Sequence, residues 1–294
     1  MEHGNVIEAI DIKKKYKGFA LDIPEVQIPK GFATALIGEN GAGKSTFLNI
    51  LTGIRLDHQG TVRYFDEKET DVEQVKERIG YTGPGNYFLP HWTVSQVAKI
   101  SGLLYEMFDA ARYQELCRRL GIDESGSKKV SSLSDGNRMK LALAAALARK
   151  TECLIMDEPA SPLDPLMRDC LCGMIRQYLE EGGGEHSVLF STHNIADMEN
   201  VTDYCVIMEH GNIVESGFVE DLKEKYVLVK GEAKDAEAAQ KILYSYSGSA
   251  YGFEGICMAE RLDALAGMDI HVETPSLSQI SVAVMKENSS LKMY

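Results

Sequence analysis

GENGAGKST, Gly38 to Thr46, lies between an apolar run at 32–37, FATALI, and the helix-like stretch KSTFLNILTG. Gly38, Gly43, Lys44 and Ser45 fit the pattern G-x-x-x-x-G-K-[ST], placed as that pattern requires, after a strand and at the opening of a helix. The glycines let backbone N–H groups close around a β-phosphate, Lys44 puts a positive charge near the β and γ oxygens, and the Ser45 hydroxyl is a ligand for magnesium. Asn40, Gly41 and Thr46 belong to the same nucleotide-binding loop. Beyond it, Phe47, Leu48, Ile50, Leu51 and Ile54 mark an apolar helix face, and Gly53 signals its end.

Two later stretches supply the partners that a phosphate loop needs. In CLIMDEP, Cys153 to Pro159, four apolar residues predict a buried strand that delivers Asp157 and Glu158 to its C-terminal edge, where ligands of α/β sheets collect. Asp157 is expected in a magnesium shell, and Glu158 is expected to polarise a water for in-line attack on a γ-phosphate. His193 leaves a second buried strand, SVLFSTH, on the same side. A different phosphate-reading end is offered by SSLSDGNRMKLALAAALARK, Ser131 to Lys150: a small polar cap with Ser134 and Gly136, then an Ala/Leu-rich helix with open N–H groups at its start.

The rest of the chain has the character of an ordinary globular protein. Of 294 residues, 44% are hydrophobic and 26% charged, and the mean hydropathy is -0.18. A formal charge of -13 repels nucleic acid, so no nucleic-acid partner is expected. No run approaches the 18 or so apolar residues of a membrane span, and the start lacks the apolar core of a signal peptide, which predicts a cytoplasmic location. Six cysteines without paired spacing predict reduced thiols and no structural zinc.

Strand-like runs punctuated by Pro24, Pro29, Gly18 and Gly31 predict antiparallel strands near the N-terminus. The pattern is helical from about Trp92 to Lys150, which predicts an inserted helical subdomain at about 86–150. Strands then alternate with a helix, as in a parallel sheet. After residue 230 the style changes, predicting a nucleotide-binding unit over 1–230 and a small mixed α/β unit over 231–294 that ends in the helix SLSQISVAVMKE.

Together these residues resemble the nucleotide-binding cassette of an ABC transporter, over about residues 5–220 and in the family's order. The resemblance implies an α/β P-loop NTPase fold with a mixed sheet core, N-terminal antiparallel strands and an inserted helical subdomain. It also implies ATP and Mg2+ as cofactors. It assigns Leu133 to Asn137, LSDGN, to the LSGGQ-like signature, so that Ser134, Gly136 and Asn137 read nucleotide. It gives Asp164, in SPLD, to the loop joining two sites, and Tyr16 to the aromatic that stacks on adenine. By the same resemblance two cassettes meet head to tail with two ATP between them, each phosphate loop facing the partner's signature. The partners implied are a second copy or a related cassette, and separate multispanning membrane subunits at the cytoplasmic face of the membrane.

Two residues depart from the family's pattern: Pro84 stands where Gln or Glu is usual, and Asn137 replaces the signature Gln. Pro84 neither ligates magnesium nor orients water, yet Glu158 and His193 remain, so hydrolysis is expected to persist. Tyr87, Phe88 and Trp92 read equally as a groove for a helix of a membrane subunit and as core. Lys13 to Lys17, around Tyr16, read as a solvated edge. The C-terminal unit, ending in PSLSQI and its helix, resembles that of exporters of sodium, bacitracin and toxin peptides, which predicts export, with an amphipathic or antimicrobial peptide as candidate cargo. Its role is either pairing two cassettes or packing on the core. The alternatives are a soluble cassette switch acting on ribosomes or DNA and a non-hydrolysing regulatory cassette.

Overall fold

Half-buried alternation in NVIEAIDIKKKY builds β1 (Asn5–Tyr16), which turns at Gly18 into β2 (Phe19–Pro29), the two paired antiparallel from Ile7/Ile28 to Tyr16/Phe19. The computed structural model describes residues 4–67, 72–84, 88–123 and 128–288. Pro24 does not interrupt β2, because β2 is the outer strand of this sheet and the missing N–H faces no neighbour.

The next strand, β3 (Ala33–Ile37), is buried at every residue and opens through the glycine loop into α1 (Lys44–Leu51). Phe47, Leu48, Ile50 and Leu51 are buried as the pattern predicts. Ile54 is not part of that face: the helix ends before Gly53, whose φ is 66°, and Ile54 is 60% exposed beyond the turn. The chain then adds β4 (Gln59–Tyr64) to β1, forming a sheet of order β2-β1-β4, and passes through α2 (Val72–Arg78) to β5 (Ile79–Thr82).

The helical stretch follows as α3 (Val94–Leu104), α4 (Ala110–Arg119) and α5 (Asp135–Leu147). Each start is capped by its own sequence: Thr93 in a reciprocal capping box with Gln96, Asp109 accepting from Ala111 and Arg112 N–H, and Ser134 accepting from Asn137 N–H. Next come β6 (Cys153–Met156), α6 (Pro165–Gly182), β7 (Ser187–Thr192), β8 (Tyr204–Glu209), β9 (Asn212–Phe218) and α7 (Val219–Lys225).

The central sheet has the order β5-β6-β7-β3-β8-β9, parallel except for the β8–β9 hairpin. Alternate residues of its strands enter two separate cores. Leu36, Ile155, Leu189 and Val206 face α1 and the β2-β1-β4 sheet, while Ile37, Met156, Phe190 and Ile207 face α5 and α6. Parallel registry, Ile37 with Thr192 and Met156 with Phe190, brings three strand ends to one edge: Gly38, Asp157 and His193.

The remaining elements are β10 (Tyr226–Glu232), α8 (Ala236–Gln240), β11 (Tyr244–Gly248), β12 (Gly252–Met258), β13 (Ile270–Glu273) and α9 (Leu277–Asn288). The four strands form an antiparallel sheet of order β11-β12-β10-β13. A boundary at 231 cuts β10, which pairs with β12 from Tyr226 to Glu232 without a break. One face of this sheet, with Val229, Phe253 and Cys257, makes a small core of its own. The opposite face, with Tyr226, Leu228 and Ile256, joins the main core together with Leu277, Ile280, Ala283 and Val284 of α9. The last helix is therefore shared: it is sequence-distant from the nucleotide-binding unit yet part of its core.

All six cysteines are free thiols, five of them buried, as their spacing predicts. Burial pushes Cys153 and Cys205 up to about 12, which makes them inert apolar filling. Among the described residues no helix is long and apolar enough to cross a membrane.

Candidate functional site

Between β3 and α1 the backbone of the glycine loop is held on both sides. Gly38 N–H donates to Thr192 O at 3.2 Å, and Gly211 N–H of the β8–β9 turn donates to Ala42 O at 2.9 Å. Gly43 has φ 111°, and a Cβ there would stand 2.7 Å from the Phe19 ring, so the residue is fixed as glycine by conformation and by space. Asn40 and Ser45 are exposed and Thr46 is half-buried at the mouth of the loop.

Lys44 is 6% exposed. Its Nζ donates to Gly38 O at 2.8 Å and Glu39 O at 3.1 Å, and lies 3.3 Å from Glu158 Oε1 as an ion pair. The cation thus sits inside the loop with weak carbonyl partners, in the place where phosphate oxygens make better ones.

The carboxylates are organised by Ser191, a residue the sequence reading passed over. Its hydroxyl donates to Asp157 Oδ1 and accepts Glu158 N–H at 2.9 Å. Asp157 is 1% exposed, and its own N–H donates to Thr82 O at 2.7 Å. Glu158 has φ 51°, a left-handed conformation that costs a non-glycine residue about 1 kcal/mol or more. That turn swings its carboxylate toward His193, with Nδ1 2.8 Å from Oε2. An ionised carboxylate only accepts, so the proton of that bond belongs to Nδ1. In the sequence Ser191 shows only as a hydroxyl that ends the apolar run of β7 two residues before His193, which by itself does not point to a carboxylate partner.

A cavity of about 510 Å3 opens between this group and α5. Asn40, Glu158 and His193 line it from the side of the sheet, Arg138 and Met139 from α5, and Pro84 is also among the lining residues. Ser134, Gly136, Asn137 and Asp164 are not among its lining residues. Ser134 and Asn137 are engaged with each other at the start of α5, Gly136 packs against Pro162 O, and Asp164 caps α6 by accepting Met167 N–H at 3.0 Å. Asp135, second in this run and also unremarked in the sequence, is ion-paired with Arg138. Tyr16 stands apart at the end of β1, 40% exposed, its ring 6.1 Å from Phe19 and flanked by Lys14 and Arg55. Lys13 and Lys14 pair with Asp22 and Asp57, in keeping with a solvated edge.

Phe88 and Trp92 are half-buried and pack against the main core; Tyr87 lies outside the described residues. Among the described residues no group of three or more His, Cys, Asp or Glu is placed to hold a metal ion alone. Ser45 and Asp157 offer two oxygens, which is what Mg2+ takes from a protein when substrate phosphates and water complete its shell. A buried Glu158 Oε1 without a hydrogen-bond donor, beside a buried lysine, likewise fits a site that is finished by a phosphate and a water.

Residues 21–161 match the family model described as ABC transporter. The tungstate uptake system ATP-binding protein TupC of Peptoclostridium acidaminophilum is 33% identical over 218 residues, 71% of this chain and 97% of that protein. The uncharacterized ABC transporter ATP-binding protein YxlF of Bacillus subtilis is 34% identical over 194 residues, 65% of this chain and 63% of that one. Among solved structures, an ATP binding subunit of an ABC transporter superposes with a TM-score of 0.64 at 24% identity, over 74% of this chain and 92% of that one. A dimeric ATP-binding cassette in a post-hydrolysis state, bound to ADP and Pi, gives 0.62 at 20% identity over 72% and 98%. The last two likenesses carry the fold, and the first is one-third identity along nearly a whole protein. On that identity and the geometry of the loop and its carboxylates, the chain belongs to the ABC transporter family, as an ATP-hydrolysing ATP-binding subunit.

Proposed function

We propose that this cassette works as a head-to-tail pair that closes on two ATP molecules, docked to separate multispanning subunits at the cytoplasmic face of a membrane, and that the system exports its cargo. The observation that carries the catalytic part is Glu158, held between Lys44 and His193 by a backbone that Ser191 pins.

On ATP binding, Lys44 exchanges the carbonyls of Gly38 and Glu39 for β and γ oxygens, where its charge offsets the charge of the phosphates. Ser45 and Asp157 are the residues that would hold Mg2+, which supplies further screening of that charge. Once Lys44 has moved, Glu158 Oε1 is free to accept a proton from the attacking water. His193 keeps Oε2 in place, so only one oxygen does the work. The water oxygen bonds to the γ-phosphorus in line with the bond to the β–γ bridging oxygen, which breaks, so that ADP leaves and phosphate remains. In the pair, Ser134, Gly136 and Asn137 are assigned to the partner's γ-phosphate, Asp164 to the contact between sites, and Tyr16 to adenine. The start of α5, capped by Ser134 and carrying the positive end of the helix, supports that assignment.

Export is supported by the C-terminal unit and its resemblance to that of single-cassette exporters. The 218 residues matched by the tungstate uptake cassette are 97% of that protein, so a unit of this size is additional to it. The test is purification of a tagged Glu158→Gln chain from detergent-solubilised native membranes with Mg-ATP. A multispanning protein at one-to-one stoichiometry is the expected result; recovery of ribosomes, DNA or the cassette alone overturns the transporter assignment. With the membrane subunit in hand, ATP-dependent accumulation of cargo inside inside-out vesicles is the result for export, and the opposite orientation dependence is the result for uptake.

A further inference from the structure

Two short one-turn helices, Ile195–Asp197 and Glu199–Val201, connect His193 to β8, and both are tied to other parts of the molecule. Asp197 Oδ2 accepts from Asn194 Nδ2 at 3.0 Å, and Asp197 Oδ1 pairs with Arg168 Nη1 at 2.7 Å. Arg168 Nε in turn donates to Ala160 O at 3.2 Å and Leu163 O at 2.9 Å, in the loop that follows Glu158. The segments carrying the two reacting side chains therefore share one clamp.

The same segment is fastened to the far end of the chain. Glu199 Oε1 accepts Leu277 N–H at 2.7 Å, and Oε2 accepts Ser278 N–H at 3.3 Å. These are the first donors of α9, which no residue of the helix itself satisfies. The next donors are met by Ser276, whose hydroxyl accepts from Gln279 N–H and whose carbonyl accepts from Ile280 N–H. A carboxylate at this end of a helix also gains from the helix dipole. Ile195, Met198 and Val201 are buried in the same core as Leu277, Ile280, Ala283 and Val284. The turn after His193 is thus packed and hydrogen-bonded on the C-terminal helix as well as on the cassette.

We propose that Glu199 is a positioning residue for hydrolysis: by holding the start of α9 it fixes the Ile195–Val201 segment, and so sets His193 against Glu158, making the C-terminal unit part of the catalytic geometry. The inference rests on the roles given to Glu158 and His193 above. Displacement of His193 by a fraction of an ångström leaves ATP binding, which uses the loop and Lys44, and slows the proton transfer, which uses the His193–Glu158 contact.

The experiment compares steady-state ATP hydrolysis by the full chain and by Glu199→Ala, Glu199→Gln, Asp197→Asn and His193→Ala variants, with nucleotide-binding stoichiometry and Tm measured on each. Glu199→Ala is expected to lower kcat about tenfold with KM for ATP within about twofold. Glu199→Gln keeps one acceptor oxygen and is expected to recover most of the rate. Asp197→Asn, which leaves α9 untouched, is expected to lower kcat in the same manner. A kcat for Glu199→Ala within twofold of the parent overturns the proposal. So does a fall in rate matched by an equal loss of nucleotide-binding sites, which is a structural effect only. If Glu199→Ala does not fold, Glu199→Asp, whose carboxylate stops one methylene short of the Leu277 and Ser278 N–H groups, takes its place and is expected to lower kcat; undiminished kcat in both Glu199→Asp and Asp197→Asn overturns the proposal. Undiminished turnover in His193→Ala marks a failure of the underlying site assignment and not of Glu199 alone.

Discussion

The residue that organises the site, Ser191, has no chemistry of its own. It satisfies Asp157 and the Glu158 amide at once, so Ser191→Ala takes the hydroxyl donor away from Oδ1 of a carboxylate that is 1% exposed. The expected cost is about 1–3 kcal/mol of stability, with a drop in kcat as Glu158 loses its backbone anchor. Urea unfolding and steady-state ATPase assays check both parts, and a variant unchanged in either would show that Ser191 is dispensable. Glu158→Gln is expected to abolish turnover while leaving ATP affinity close to the parent's, because binding relies on the loop and Lys44; isothermal titration and phosphate release measure the two. The sequence made Lys44, Asp157, Glu158 and His193 legible through spacing and strand context. It did not make Ser191 legible, because a hydroxyl in a buried strand has no spacing rule and is recognised only when the neighbouring strand brings its partner within reach. Pro84 was legible as a departure; its place in the lining of the cavity required the fold.

Among the elements, the parallel strands β3, β6 and β7 were legible because they are buried on both faces and read as continuous apolar runs. β4, α2 and β5 were not singled out: β4 is mostly exposed and α2 is a seven-residue helix too short for a clear period. Their placement depends instead on Arg78, at the end of α2. Its Nε and Nη2 hold both oxygens of Glu152 at 2.7 and 2.9 Å, its Nη1 holds Glu67 at 2.7 Å, and its guanidinium stacks 3.6 Å from the Phe65 ring centroid. The hydrogen bonds and charge of Arg78 hold the Glu152 carboxyl below its usual range. A depressed carboxyl pKa stabilises the fold above the unfolded value, and that contribution is lost as pH falls through the folded value. Unfolding free energy measured from pH 6 down to pH 3.5 is expected to decline less steeply in Glu152→Gln than in the parent; equal slopes would remove the pair from the acid response. For Phe88 and Trp92, packed against the main core, paired substitution to Ala is expected to lower Tm by several degrees. Unchanged Tm with loss of the membrane partner would make them a docking surface instead.

For the molecule as a whole, the decisive feature is α9. The sequence assigned it to the C-terminal unit by proximity, and its apolar period gave no indication of which core it enters. The structure places Leu277, Ile280 and Ala283, all 0% exposed, in the main core with Ile195 and Met198. Ile280→Asp is expected to destabilise the whole cassette by about 3–5 kcal/mol. The predicted readout is one lowered calorimetric transition and not a separate early melt of the C-terminal sheet, since both share this helix; two resolved transitions would contradict the shared core. The same feature has a meaning for how the protein is made. The Ile195–Val201 segment that α9 packs on is complete at Val201, and α9 begins at Leu277, about 75 residues later, which at about 5–20 residues per second is about 4–15 s of synthesis. Throughout that interval the apolar surface around Ile195 and Met198 stays uncovered on the nascent chain, complete in sequence for ATP binding but not yet able to close its interior, and it is in this window that a chaperone or an aggregate competes with the chain's own last helix.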